Sequence, residues 1–336
     1  MKVRDFLHLV SFADGTCVQG PTSAELLRQH SFIDGRTDFF AGPPRQIALS
    51  EFVSTEGPPA PPTSYIFHLA FGGSTLISRL LDVPGHALAL REPNCLAQLA
   101  NHRASDDWRD TQAPEFAKVI NAVRNHLGRR WADAERVVVK PSNWANNLLP
   151  ELLGGMTARA VLFLVSSRVS FVRSVLRGGP DRIAFAARAA VHLSGADPAG
   201  ARWVSEALAA DDSAPDRLIR LACVLHAIQL EIFHATSARC ALGVENWLNR
   251  DELAANAFAA SRRAAQLLEL DLPDAAIADN VKRWASTDAK DPGQSYSRAQ
   301  EGAKDAALAV ETDALIERAL GWAVDTLGPD RSAAPA

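Results

Sequence analysis

The chain sets short apolar runs against longer stretches of helical spacing, and the alternation carries most of its architecture. SYIFHLA, from Ser64 to Ala70, is apolar and ends at two glycines, which suits a buried parallel strand. After Gly72 and Gly73, Ser74 and Thr75 open a segment in which Leu76, Ile77, Leu80 and Leu81 repeat at helical spacing. HALALR ends a second strand at Arg91, and PNCLAQLAN begins a helix with Pro93 in its first turn. Residues 114–127 read as an amphipathic helix. ERVVVKPSNWANNLLPELL and ARAVLFLVSSRVSFVRSVLR each give a strand, a polar turn and a helix. Strands alternating with helices predict an α/β fold, a parallel β-sheet flanked by helices.

The two ends differ from this middle. Residues 1–56 carry turn signals at ADG and IDG and read as an N-terminal extension of short strands and turns. EGPPAPP, Glu56 to Pro62, has four prolines and reads as a stiff linker. The α/β domain is expected over 63–330. Its C-terminal half is helix-rich, with a helical insertion at about 178–235 in DRIAFAARAAVHL, RWVSEALAA and DRLIRLACVLHAIQLEIFHA. RCALGVEN is the candidate for a last strand. LNRDELAANAFAASRRAAQLLEL reads as one or two helices, ASTDAKDPGQSYSRAQ as a polar loop, and a terminal helix runs through Trp322.

Composition narrows the function classes. The chain has 336 residues, 47% of them hydrophobic, enough for a sizeable core. Its formal net charge of -4 gives no general attraction to nucleic acid or to an anionic membrane, so an anion site must be local. Without a leader-like N-terminus or a run of about 18 apolar residues, no membrane span is expected. The four cysteines are scattered and form no CxxC, which suits reduced thiols in a cytoplasmic protein. No metal is expected, since the nine histidines include no HExxH. No GxSxG elbow and no GxGxxG after a strand occurs, so those hydrolase and dinucleotide readings lack support.

FGGST remains as candidate chemistry. A glycine pair between strand and helix leaves backbone N–H groups free to meet an anion, and Ser74 and Thr75 add hydroxyl donors. The same five residues equally suit a tight strand-to-helix turn, and no GK[ST] is present.

HLAFGGSTLISRLLDVPGHALALREP resembles the first nucleotide-binding segment of bacterial sulfotransferases: a strand, a P-R/K-S-G-T-T-L loop, a helix ending L-L-D and a strand ending near R-E-P. VVVKPSNWANNLLPELL is similar to that family's strand ending K-T-P. LFLVSSRVSFVRSVLR is similar to its second nucleotide-binding segment, in which R-D-P precedes a serine by six residues. The resemblance covers about Ser64 to Leu270. It implies a parallel sheet with a phosphate loop after its first strand, and 3′-phosphoadenosine 5′-phosphosulfate as donor. By that resemblance Gly72, Gly73, Ser74 and Thr75 hold the 5′ phosphosulfate. Lys140 neutralises the leaving group, Glu92 is the base for the acceptor, and Ser174 meets the 3′-phosphate. Glu92 equally suits a helix start, where acidic residues are favoured. A lysine directly after VVV, by contrast, falls at the carboxyl edge of a parallel sheet, where ligands bind.

The departures are at the cations. Phe71 stands at the loop's basic position, and Ser166, Ser167 and Arg168 replace R-D-P. Each lost charge-assisted contact is worth about 1.5–3 kcal/mol. Arg168, Arg173, Arg177, Lys290 and Arg298 are the candidates to replace them. Three functions stay open: sulfuryl transfer to a hydroxyl or amine of a small-molecule or peptide acceptor, a non-catalytic relative that binds a peptide or protein partner, and a nucleoside-triphosphate-dependent phosphotransferase. The last lacks both the loop lysine and an obvious magnesium-binding aspartate after a strand.

Overall fold

A computed structural model describes residues 3–55, 63–105, 113–132, 135–154, 160–209, 213–284, 287–291, 293 and 298–333. The proline-rich segment 56–62, read above as a linker, lies outside the described residues, as does much of the polar loop around 292–297.

The N-terminal segment builds a small antiparallel sheet from β1 (Arg4–Ser11), β2 (Thr16–Thr22) and β3 (Arg45–Ala48), in that order. The ADG signal is the β1–β2 turn, where Gly15 takes φ +62°. Two short helices, Ala24–Gln29 and Leu49–Thr55, stand where the pattern suggested only strands and turns. Six or seven residues are too few to display a helical period. Ser23 caps the first of them, its hydroxyl accepting from the Leu26 N–H.

The main sheet comprises β4 (Ser64–His68), β5 (Ala87–Arg91), β6 (Arg136–Lys140), β7 (Val161–Val165) and β8 (Trp247–Asn249). All neighbours pair in parallel, in the order β5-β6-β4-β7-β8. The last strand is Trp247–Asn249 rather than the RCALGVEN run before it. Residues through Cys240 complete a long helix, and Val244–Asn246 form a 3-10 turn. The chain folds as an α/β protein with a five-stranded parallel sheet flanked by helices and a helix-rich C-terminal half.

Strand periodicity divides the core. Tyr65, Phe67, Leu88, Val139 and Phe163 face one cluster, which also takes in Phe6, Leu7 and Phe52 of the N-terminal segment. Ile66, Val138, Leu162 and Leu164 face the other, against Ile77, Leu80 and Ala264. The N-terminal sheet and one face of the main sheet thus share a single apolar interior. The Ala214–Cys240 helix is long and apolar enough to cross a membrane, with mean hydropathy 1.4 in its most apolar window. That window is 72% buried within the protein, the packing of a core helix.

β4 lies in the middle of the sheet. The chain leaves it toward β5 on one side and later crosses to β7 on the other. In an open parallel sheet, this reversal opens a crevice at the carboxyl ends of the strands.

Candidate functional site

A cleft of about 820 Å³ occupies that crevice. Its floor is the loop after β4. Phe71, Gly72, Gly73, Ser74 and Thr75 all line it, and the helix Ser74–Leu80 starts there with Gly73 as its N-cap. Gly73 has φ +88° and Phe71 φ +62°. Left-handed residues within a turn aim successive N–H groups toward one spot. The first helical bond is donated by Ile77 to Gly73, and the N–H groups of Phe71 to Thr75 have no acceptor among the described residues. Ser74 and Thr75 are 6% and 3% exposed as residues, and no hydrogen bond from either hydroxyl is made among the described residues. Neither hydroxyl is among the buried atoms left without a partner, so both are open to the cleft, where they and the loop N–H groups can donate to acceptor oxygens.

Beside it stand Lys140, the last residue of β6, and Glu92, the first after β5. Arg91 and Lys140 are register partners in the parallel pair, and the Glu92 N–H donates to the Lys140 carbonyl at 2.7 Å. The Lys140 ammonium donates to Glu92 Oε1 as a buried ion pair, with Lys140 fully excluded from solvent. Burial alone would push the Glu92 carboxyl up. Together the charge and hydrogen bond of Lys140 and the charge of Arg36 hold Glu92 below its ordinary value. Burial lowers Lys140, against the opposing effect of Glu92. Glu92 has φ +58°; for a residue with a side chain the left-handed region costs about 1–2 kcal/mol. Of the four positive-φ residues other than glycine among the described residues, Ala241 and Glu269 follow helix ends, whereas Phe71 and Glu92 both line the cleft.

His68 closes the floor between these parts. Burial, with the Lys140 charge added, pushes its imidazole down to about 3. One ring nitrogen lies 2.9 Å from the Leu69 carbonyl and the other 3.1 Å from that of Pro141, so the neutral ring donates to one of them. Behind it the Asn146 amide donates to the His68 carbonyl and to Gln229 Oε1, and Asn143 also donates to Gln229. This buried amide cluster fixes the loop to the long core helix.

The walls come from distant segments. Residues 29–37, carrying the IDG turn, form one wall. They are pinned by the Ile33 N–H to the Arg91 carbonyl at 2.8 Å and the Asn94 N–H to the Ile33 carbonyl at 3.3 Å. Phe32 carries the Arg36 guanidinium 4.1 Å above its ring and the Lys140 ammonium 5.7 Å away. Phe185, Asp288 and Lys290 also line the cleft.

The sequence candidates therefore divide. Gly72, Gly73, Ser74, Thr75, Lys140 and Glu92 meet at the cleft. Ser174 and Arg168 do not line it. The Ser174 hydroxyl accepts from Arg250 at 2.6 Å and its carbonyl accepts from Arg182 at 2.8 Å, which places it behind the wall. The Arg168 guanidinium donates to the Gly328 and Pro329 carbonyls, and its N–H donates to Asp330. Arg173 faces Asp313 at 3.8 Å on the surface, and the Arg298 side chain lies outside the described part of the chain. Of the proposed substitute cations, Lys290 lines the cleft. Phe32, Arg36 and His68 join the site without a local sequence signal, since only tertiary contacts bring them there. Among the described residues no group of three His, Cys, Asp or Glu side chains is arranged to hold a metal ion.

No protein-family model, no curated protein and no solved structure matches this chain.

Proposed function

We propose that the chain is a transferase of the sulfotransferase type. It moves the sulfuryl group of 3′-phosphoadenosine 5′-phosphosulfate to a hydroxyl or amine on a small-molecule or peptide acceptor. The observation that carries this reading is the meeting, at one sheet edge, of unpartnered N–H and hydroxyl donors in Phe71–Thr75 with the Lys140–Glu92 pair. The donor, when bound, supplies an activated sulfuryl group. Gly72, Gly73, Ser74 and Thr75 fit its charged end, because they offer donors that the protein itself leaves unused. Lys140 offsets negative charge at the sheet edge. Glu92, kept ionised by Lys140, accepts the acceptor's proton. The wall formed by residues 29–37 keeps water from that carboxylate on one side. Four free thiols, three of them buried, suit a reducing cytoplasm.

A second reading, binding of a peptide or protein partner without chemistry, is favoured by one observation. Ser174, which the resemblance assigns to the donor, and Arg168, a candidate substitute cation, are both engaged within the fold.

Calorimetric titration with 3′-phosphoadenosine 5′-phosphate, ADP and ATP separates the readings. Selective binding of the 3′-phosphorylated nucleotide is the expected result, lost in the double variant Lys140→Met/Glu92→Gln, which leaves no buried charge unpaired and whose folding a thermal melt verifies. Selective ATP binding would replace the proposal with phosphoryl transfer. Absence of binding at millimolar concentration would leave the partner-binding reading.

A further inference from the structure

We propose that Lys290, held with Arg182 against the ring of Phe71, supplies the cation of the cleft's anion subsite and grips the charged end of a phosphate- or sulfate-bearing ligand. The proposal rests on taking the cleft for an anion site, as above, and adds which residue supplies the charge.

The loop itself carries no cation, since its basic position is Phe71. That ring is instead where cations gather. The Arg182 guanidinium lies 4.6 Å from the ring centroid and the Lys290 ammonium 5.9 Å from it. The two come from separate elements, Arg182 from the helix Gly179–Leu193 and Lys290 from the loop before the terminal helix. An aromatic face attracts cations and orders them without neutralising them. Phe185 and Phe171 hold the ring, with centroids at 5.9 and 6.4 Å. Gly178 makes room for the arrangement, because a Cβ there would stand 2.1 Å from Arg182 Nε.

The acidic groups of the cleft do not serve Lys290. Asp34 pairs with Arg36 at 2.6 Å, and Glu92 pairs with Lys140. The Asp288 carboxylate accepts from the N–H groups of Lys290 and Asp291, at 2.7 and 3.2 Å. The Asp291 carboxylate accepts from the Gly293 N–H at 3.1 Å. The Lys290 ammonium has no carboxylate within ion-pair distance among the described residues. It keeps solvent contact, but crowding by the cleft wall, with Arg182 and Lys140 nearby, lowers its pKa against the pull of Glu92 and Asp288. A cation set among cations, facing a loop whose N–H and hydroxyl donors are unused, is the complement of a multiply charged anion.

The test is calorimetric titration with inorganic pyrophosphate and, separately, with 3′-phosphoadenosine 5′-phosphate. It compares the native chain with Lys290→Met and Lys290→Arg, with a thermal melt of each to verify folding. Lys290→Met is expected to weaken both ligands about tenfold or more and to lessen the salt dependence of binding. Lys290→Arg is expected to restore most of the affinity. If Lys290→Met and Lys290→Arg bind both ligands as the native chain does, the proposal is overturned while the donor reading stands. If pyrophosphate binding depends on Lys290 but the 3′-phosphorylated nucleotide is not preferred to ADP, the cation site stands and the donor reading falls. If the native chain binds neither ligand, both fall.

Discussion

Lys140 and Glu92 are joined across the carboxyl ends of two adjacent strands, with the ammonium wholly buried and the carboxylate retaining 17% side-chain exposure. Neither tolerates loss of the other. Removing one partner of a buried ion pair leaves an uncompensated charge, at a cost of about 3–5 kcal/mol. Glu92→Gln is therefore expected to lower unfolding free energy by roughly that amount. The double variant Lys140→Met/Glu92→Gln should recover much of the loss. Urea denaturation of the two single variants and the double closes the cycle. Additive losses would mean that the pair does not couple.

Adjacent glycines of the loop give a sharper contrast. Gly73 has φ +88°, and an added Cβ would meet only ordinary contact with Leu253, at 3.5 Å. The cost of Gly73→Ala is thus backbone strain, about 1–2 kcal/mol. Gly72 has no positive φ, and a Cβ there would lie 3.5 Å from the Leu69 carbonyl. Gly72→Ala should stay within about 0.5 kcal/mol of the native chain. Thermal melts of the two decide it, and equal effects would remove the left-handed turn as the explanation.

Acid should weaken the fold through its buried histidines. His226 is fully buried, with Nε2 2.9 Å from the Ser166 carbonyl, and burial pushes it down to about 4. An unfolded histidine takes its proton near 6.5, so between about 6.5 and about 4 the unfolded chain binds more protons than the folded one. Stability is full above the upper value and falls as pH drops toward the lower. The contribution of His226 is on the order of 3 kcal/mol. His192, also lowered to about 4, and His68, lowered to about 3, act in the same direction. Denaturation midpoints across this range should fall less steeply in His226→Gln, which keeps an N–H to offer Ser166. An unchanged slope would count against the buried neutral ring.

The sheet was legible because its strands are buried on both faces and therefore apolar throughout, as in SYIFH, ALALR and VLFLV. Gly72–Thr75, Glu92 and Lys140 were legible for a related reason. Each follows or ends one of those strands, and parallel pairing brings strand ends together. Strand β8 was misplaced because three residues are too few to stand out beside a long apolar helix. Arg168 and Ser174 follow β7 in sequence, but the helix they occupy turns them toward the C-terminal segment and Arg250. The walls were illegible. Nothing in SFIDGR or TDAKD announces that the two segments line one cleft, since that depends on how separate layers dock.

The cleft draws its lining from residues 29–37, 68–75, Glu92, Ser142, Phe185 and Lys290. Its ends are thus separated by most of the chain. A polypeptide emerging in order from the ribosome would carry the glycine loop long before the wall that supplies Lys290, and contacts of such long separation form late. Recognition by this protein is in that sense a property of the finished chain. A fragment could fold the central strands and still present only an open shelf where the complete molecule presents a cleft.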